Sequence, residues 1–586
     1  MKKIKVSDFI ALFLKKIGVK HVFGVAGGHL MHVMDSIVHK AKIKYIAPFN
    51  EQPASMMTKA YSRASKNYGV LLVTSGPAGT NAITGVASAW MDSVPMMVIS
   101  GQFRVPVLPL KIKIRSSSPQ QYFPVPMIKS ITKYSKIILN ENSIVNNLFS
   151  AYKSSVTGRP GPVWLDIPLD IQGRYIKINL KKELNKISSI KKRIFKNIGK
   201  NKIRLILEKI KKSKKPLILA GNGIKISNSE KLFYNFIKKF KIPILTTLST
   251  IDLVEEKNPL YFGRPGLYAR RHSNIIIQEA DLLICIGAGL HYETTGYNLK
   301  EFANNAEKII VDIDKNELKK IIIGKSLLIN ADCYSFFRSL SNVPKKYFKH
   351  LDYNNWVKYC KNLKNRYGKG FLETKKNKLV NHYNFFYHLS KLSKSNDKLI
   401  LGNAGFHAII GWQSFHSKKG QRIFNEIGAG CMGHSLPSSI GSSIALNNSS
   451  IVCVTGDGGI QTNIQELQTI KTYNLPVKIF IISNGGYTSL INTQKKYFNG
   501  RLIGANSESG FKIPDILKII KAYKFKFNCI YSNNELNYKI KENLNYKKSF
   551  VSIVHCDTNV RLTPSVGTKL LENGDMISES LDRQKD

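Results

Sequence analysis

Two patterns in this sequence have the residue types and spacing for chemistry. The first is Gly456-Asp457-Gly458-Gly459, directly behind the apolar run 451–455 and followed by Asn463 and Glu466. A second apolar run, 477–482, ends at Ser483-Asn484-Gly485-Gly486, and Asp457 and Asn484 are 27 positions apart. That interval is one strand–helix–strand crossover. It sets the carboxyl ends of two parallel strands side by side, where α/β sheets bind ligands. A carboxylate and an amide oxygen at that edge can hold a hard divalent cation, and a diphosphate completes the shell. The glycines let the backbone approach the phosphates, and a helix N-terminus faces the anion. Alone, Gly-Asp-Gly-Gly is more often a tight turn than a site. The strand before it and Asn484 behind it make the pattern specific.

The second pattern is Glu51, in Ala47-Pro48-Phe49-Asn50-Glu51-Gln52-Pro53-Ala54. A Glu just beyond a strand is usually a solvated surface residue. Here Tyr45-Ile46 precede it and the small-residue helix Ala54-Ser55-Met56-Met57 follows, which points to a buried carboxylate. Nearby lie Phe23-Gly24-Val25-Ala26-Gly27-Gly28-His29, Thr74-Ser75-Gly76-Pro77-Ala78-Gly79-Thr80-Asn81, Ser100-Gly101-Gln102 and Ser118-Pro119-Gln120-Gln121. His29 reads equally as a ligand-facing residue and as a capping or core histidine. Farther along stand His407, after Phe406, and Met432, in Gly430-Cys431-Met432-Gly433-His434. A lone Met is usually core filler; the flanking glycines raise this one.

The elements that must position these residues follow a repeated grammar. Short apolar strands (69–73, 96–100, 162–168) alternate with helical patterns and end at small residues or turns, as in a parallel, doubly wound sheet. The grammar restarts with 216–221, 282–287 and 309–314, and again with 451–455 and 477–482. The fold class is therefore α/β, with three doubly wound parallel-sheet domains. Expected bounds are 1–175, 195–342 and 375–560, with a polar, less regular tail over 561–586. Lys-rich stretches at 181–215 and 343–380 read as linkers with surface helices. The first helix is amphipathic, with Phe9, Leu12 and Phe13 on its buried face.

These motifs resemble the thiamine-diphosphate enzymes of 2-keto acid chemistry, and among them acetolactate synthase catalytic subunits, over roughly residues 4–560. The resemblance implies three domains: pyrimidine-binding (1–175), central (195–342) and diphosphate-binding (375–560). It implies Mg2+ held by Asp457, Asn484 and the carbonyl of Gly486, with Gly456, Gly458, Gly459, Asn463 and His407 on the diphosphate side. Gly27, Pro77 and Asn81 would line the cofactor, and Met432 would prop it into a bent shape. Glu51 would hydrogen-bond N1′ of the aminopyrimidine, sharing or donating a proton, so that the imino group removes the C2 proton. Gly28 and Gln120 would stabilise intermediates. The assembly implied is a homodimer or homotetramer in which Glu51 of one chain reaches the cofactor held by Asp457 of another.

The resemblance has departures. The family's Asn-Asn pair is Ser483-Asn484 here, which spares the ligand position. The two arginines of the family's FAD segment are replaced by Gly289 and Glu293, which weighs against FAD, although 263–269 and 311–314 still resemble dinucleotide loops. The Trp that packs against the acceptor keto acid in that family is Thr493. The leading expectation is decarboxylation of pyruvate or a similar 2-keto acid with transfer of the two-carbon unit to an acceptor carbonyl. The alternatives are transfer to an activated sugar or other acceptor that is not a keto acid, and a non-catalytic polyanion-binding protein.

Composition bounds these readings. The 586 residues carry 89 Lys+Arg against 38 Asp+Glu, a formal net charge of +51. The lysines are spread widely, with no basic stripe interleaved with aromatics, so compositional bias explains them better than a specific nucleic-acid site. No apolar run reaches the length of a membrane span. The seven cysteines include no CxxC pair, which argues against a zinc site or disulfide framework and favours a reducing compartment, here read as the cytoplasm.

Overall fold

Parallel strands are covered on both faces by helices, so their sequences are continuous apolar runs rather than alternating ones. The computed structural model bears this out over the residues it describes, which are 2–65, 67–110, 114–190, 197–320, 324, 326–344, 347, 350–368 and 379–583. Parts of the Lys-rich stretches 181–215 and 343–380 fall outside them.

In the first sheet, β2 (His21–Gly24), β3 (Lys44–Ile46), β4 (Gly69–Val73), β5 (Met96–Gln102), β6 (Tyr134–Ile137) and β7 (Pro162–Pro168) lie in the order β3-β2-β4-β5-β7-β6. All neighbours are parallel. Two short strands that sequence reasoning missed, β1 (Lys2–Lys5) and β8 (Tyr175–Ile178), pair antiparallel beside it. The second sheet contains β9 (Pro216–Ala220), β10 (Ile244–Thr246), β11 (Leu282–Ile286), β12 (Glu307–Asp312) and β13 (Ser326–Asn330), ordered β10-β9-β11-β12-β13 and parallel throughout. The third contains β14 (Lys398–Ile400), β15 (Arg422–Ile423), β16 (Ile451–Gly456), β17 (Val477–Ser483), β18 (Lys526–Ile530) and β19 (Phe550–His555), ordered β15-β14-β16-β17-β19-β18. These strands too are parallel.

Counted within each sheet, the first and third have the same strand order. In all three the winding reverses between the first and third strands. Loops leaving those two strands diverge and open a crevice at the carboxyl edge, the place where such sheets bind ligands.

The first helix, α1 (Val6–Lys16), buries Phe9, Ile10, Phe13 and Leu14. Leu12 is only half-buried, so the apolar face is rotated slightly from the expected one. Two further helices join the first sheet to the third. These are α2 (Glu51–Ser65), buried along most of its length, and α3 (Pro77–Met91). Beyond β14 come α4 (Phe406–Ser414) and α5 (Ser435–Ala445). Small residues let the helices touch: a Cβ at Gly441 of α5 would sit 2.2 Å from the Met57 carbonyl oxygen of α2.

A buried charge cluster lies along this contact. Lys59 donates to Ser88 Oγ at 2.6 Å, to Asp92 Oδ2 at 2.7 Å and to Glu426. Desolvation pulls the Lys59 ammonium down to about 8, against the pull of Asp92. The tail is more ordered than its polar sequence suggests. β20 (Thr568–Leu570) and β21 (Met576–Ser578) form a hairpin. It ties back to the central domain through Tyr297 N–H to Ser578 Oγ at 3.0 Å. No helix among the described residues is long and apolar enough to cross a membrane.

Candidate active site

The carboxyl edge of the third sheet, beside its crevice, gathers the residues of the first pattern. β16 runs to Gly456, and Asp457 opens α6 (Asp457–Gln461). After α7 (Glu466–Thr472), β17 runs to Ser483, with Gly456 opposite Ile482 in register. Asp457 and Asn484 are therefore neighbours at one carboxyl edge.

Asp457 is buried. Its Oδ1 accepts from Gly458 N–H at 2.8 Å, and its Oδ2 accepts from Asn484 and Gly485 N–H at 2.9 Å each. Burial raises its pKa, and these backbone donors pull it back down. The Asn484 amide faces the same point and can do so in two senses. Nitrogen inward, it donates to Asp457 Oδ1 at 3.3 Å and to the Gly486 carbonyl at 3.0 Å while its oxygen accepts from Thr488 Oγ1 at 2.8 Å. Oxygen inward, three acceptors converge, and only a cation satisfies them. Octahedral Mg2+ with ligands at about 2.1 Å has neighbouring oxygens about 3.0 Å apart, so these three oxygens fit two edges of its shell. The set contains one carboxylate, one amide and one carbonyl. Among the described residues there is no cluster of three or more His, Cys, Asp and Glu side chains able to hold a metal.

The glycines here serve distinct purposes. Gly486 has φ 150°, and a Cβ there would lie 2.3 Å from the Ala505 carbonyl oxygen. A Cβ at Gly458 would strike the Tyr487 ring at 2.5 Å, whereas Gly459 would meet only ordinary contacts. His407, at the start of α4, packs its ring against Gly456, where a Cβ would come within 2.9 Å of the imidazole. Burial lowers His407 to about 4, so the ring is neutral at physiological pH. Met432 stands half in solvent, on the loop whose next residue is Gly433. Asn463 Nδ2 donates to the Gly433 carbonyl at 3.0 Å, bracing the Met432 turn, and lies 3.8 Å from Met56 Sδ, while its buried Oδ1 has no hydrogen-bond partner among the described residues.

The crevice of the first sheet gathers the second pattern. Glu51 opens α2, nearly buried, and its Oε2 accepts from Asn81 Nδ2 at 3.0 Å. Pro77 starts α3, after Gly76 at φ 68°. Gly27 packs so closely on the end of β4 that a Cβ would lie 2.4 Å from Thr74 Cβ, whereas Gly28 faces open space. His29 hydrogen-bonds Ser75 Oγ at 2.9 Å and lies over Phe103.

Gln120 is exposed and holds φ 62°, an uncommon conformation for a residue with a side chain. Its backbone is wedged against Gly76, where a Cβ would meet the Gln120 carbonyl oxygen at 2.3 Å. The supports of this segment were not singled out from sequence. Gln102 Nε2 donates to the Tyr122 carbonyl at 3.2 Å and to Asp166 Oδ2 at 3.1 Å. Asp166 is lifted to about 7 by burial. The signal for Gln102 lay in the Ser-Gly-Gln run that ends β5; Asp166 sits mid-strand and gave none. Another residue missed is Thr488, whose hydroxyl orients Asn484.

Glu51 and Asp457 share no hydrogen-bond partner among the described residues. Beside the helix contact and the Lys59 cluster, the loop before Glu51 also joins their halves. Phe49 N–H donates to Glu466 Oε1 at 3.1 Å and Ala47 N–H to the Tyr473 hydroxyl at 2.8 Å.

Comparison with known proteins matches each of the three sheets to a domain of one family. Residues 4–121 match the N-terminal TPP binding domain of thiamine pyrophosphate enzymes, residues 203–340 their central domain and residues 403–555 their C-terminal TPP binding domain. The chain is 31% identical over 530 residues, 89% of each chain, to an acetolactate synthase large subunit of Buchnera aphidicola. It is 31% identical to that of Cyanidium caldarium, covering 92% of this chain and 91% of the relative. It is 30% identical to that of Lactococcus lactis, covering 90% and 89%.

Proposed function

This chain belongs to the thiamine pyrophosphate enzymes related to acetolactate synthase large subunits, and from that premise we propose that it is a carboligase acting on pyruvate or a similar 2-keto acid. The observation that carries the reading is the convergence of Asp457, Asn484 and the Gly486 carbonyl at one sheet edge, in a chain that also presents a nearly buried Glu51. The names of the relatives favour pyruvate over an activated sugar as acceptor, and an enzyme over a polyanion-binding protein.

Bound thiamine diphosphate supplies the electron sink for decarboxylation. The chain supplies position and proton control. Asp457, Asn484 and the Gly486 carbonyl hold Mg2+, and the neutral His407 ring lies on the diphosphate side without adding charge. Asn81 anchors Glu51 Oε2. That leaves Oε1 to hold and exchange a proton at N1′ of the aminopyrimidine. Met432 would support the cofactor, and Gln120, its backbone packed on Gly76 and its segment held by the Gln102–Tyr122 hydrogen bond, would meet the reacting carbonyl. Exposed Thr493, on α8 (Thr488–Tyr497), leaves the acceptor side open.

The assembly proposed is a homodimer or homotetramer with sites between subunits. Phe49, beside Glu51, is 59% exposed and Met432 is 39% exposed, large apolar side chains that a second copy would cover. Domain bounds of 1–175, 195–342 and 375–560 are proposed around the three sheets. All seven cysteines are free, which suits a cytoplasmic location.

Incubating the purified chain with 13C-labelled pyruvate, thiamine diphosphate and Mg2+ tests the function. Labelled acetolactate is expected. Acetaldehyde as the sole product would leave a decarboxylase and overturn the ligation step.

A further inference from the structure

A cavity of about 880 Å³ opens at the switch point of the central sheet, with walls that include Asn222, Gly223, Gly287, Asp312, Arg159 and Arg422. The resemblance implies an FAD on this domain. Such a dinucleotide carries two negative charges on its pyrophosphate and needs donors or cations to receive them.

The cations on this cavity are already engaged. Arg159 pairs with Asp314 at 3.3 Å and Glu317 at 3.1 Å. Arg63 lies 3.5 Å from Glu426. Lys225 pairs with Asp252, and Arg422 approaches the same carboxylate at 3.8 Å. Three carboxylates on the cavity, Glu230, Glu293 and Asp332, have no ion-pair partner among the described residues, and Asp312 shares the charge of Arg159 with Asp314 and Glu317. In a chain of net charge +51, this cavity is locally acidic. An incoming dianion meets repulsion instead of a counter-charge.

The glycine loops do not form a phosphate cradle either. A Cβ at Gly221 would lie 2.1 Å from the Gly287 carbonyl oxygen, and one at Gly223 would lie 2.8 Å from Gly287 Cα. These glycines let the two loops press on each other, which leaves no gap between them for phosphate. The helix that follows, Gly223–Ile226, is a single turn.

The segment 263–269, which reads as a dinucleotide loop in the sequence, turns away from the cavity. Arg264 is buried and donates to the carbonyls of Gln413 and Phe415 at 2.9 and 3.0 Å. Arg270 donates to the Gln413 carbonyl at 3.0 Å and to Glu256 at 2.9 Å. Gly266 is sealed by Glu293: Leu267 N–H donates to the Glu293 carbonyl at 2.9 Å, and a Cβ at Gly266 would lie 1.9 Å from that oxygen. The loop clamps the central domain to the end of α4 instead of receiving a flavin.

We propose that this enzyme is flavin-free, its central cavity excluding FAD through uncompensated carboxylates and a loop committed to the domain clamp. This rests on the central domain and stands independently of the carboligase reading. The test uses the full chain purified with thiamine diphosphate and Mg2+. Three quantities are read: the absorbance near 450 nm, the flavin fluorescence released by heat, and the melting temperature with and without added FAD. Thiamine diphosphate, added to cofactor-stripped protein, serves as the control ligand. Expected are no flavin band, released flavin far below one per chain, and no shift of melting temperature with FAD where thiamine diphosphate raises it. One flavin per chain, or a melting temperature that rises with FAD, would overturn the proposal. A missing response to thiamine diphosphate would count against the proposed function and not against this inference.

Discussion

Replacing Asn484 by Ala removes one of three oxygens that converge on the metal position while leaving Asp457 and the Gly486 carbonyl in place. The Asp457 carboxylate stays fixed by backbone donors from Gly458, Asn484 and Gly485, which the substitution does not touch. The metal-free fold loses the three bonds of the nitrogen-inward amide, to Asp457 Oδ1, to the Gly486 carbonyl and from Thr488, each about 1 kcal/mol. The metal loses an inner ligand. Changes one shell farther out already cost about 10–100-fold in affinity, so the loss here is at least about 1.4–2.8 kcal/mol, at 1.4 kcal/mol per tenfold. The assay is pyruvate turnover against Mg2+ concentration, after chelation and at saturating thiamine diphosphate. Half-saturating Mg2+ is expected to rise at least about 10–100-fold, with turnover at saturating Mg2+ within a few-fold of wild type. An unchanged Mg2+ dependence in a normally folded variant would refute the ligand assignment.

Gly76→Ala places a methyl 2.3 Å from the Gln120 carbonyl oxygen at φ 68°. About 1–2 kcal/mol of backbone strain is expected, with lowered kcat/KM and a melting temperature that falls less than activity does. Lys59→Ala leaves Asp92 and the buried Glu426 with the longer Arg63 contacts, at 3.8 and 3.5 Å. A loss of about 3–5 kcal/mol in unfolding free energy is expected in denaturant titration; a loss below 1 kcal/mol would remove the cluster from the account. His407, held near 4 in the fold against 6.5 unfolded, is neutral when folded and takes up a proton on unfolding. Its contribution is therefore full above about pH 6.5 and is lost as pH falls toward 4, about 3 kcal/mol in all. His407→Asn should flatten the fall of melting temperature across that window.

The three sheets were legible because buried parallel strands are written as unbroken apolar runs that end at turns, and 69–73, 162–168 and 451–455 are strands at almost the expected bounds. The meeting of Asp457 and Asn484 at one edge was legible because a 27-residue crossover fixes which strand ends meet. What escaped reading depends on backbone groups brought from elsewhere in the chain. Arg264 looked like part of a nucleotide loop, since nothing in its neighbourhood foretells that its partners are carbonyls at Gln413 and Phe415. β1, reading Lys-Lys-Ile-Lys, has no apolar pattern and exists because Tyr175–Ile178 offers it an edge. Asn463 carries the right residue type near the site, but it lies in the turn between α6 and α7, and nothing in its neighbourhood foretells that its amide donates to the Gly433 carbonyl.

The most direct test of the account is pyruvate consumption by the purified chain with thiamine diphosphate and Mg2+, beside Glu51→Gln. The account predicts steady turnover by the wild type. It predicts a variant that still gains melting temperature from the cofactor but has lost turnover. A Glu51→Gln enzyme working at the wild-type rate, or a wild type that binds the cofactor and consumes no 2-keto acid, would contradict it.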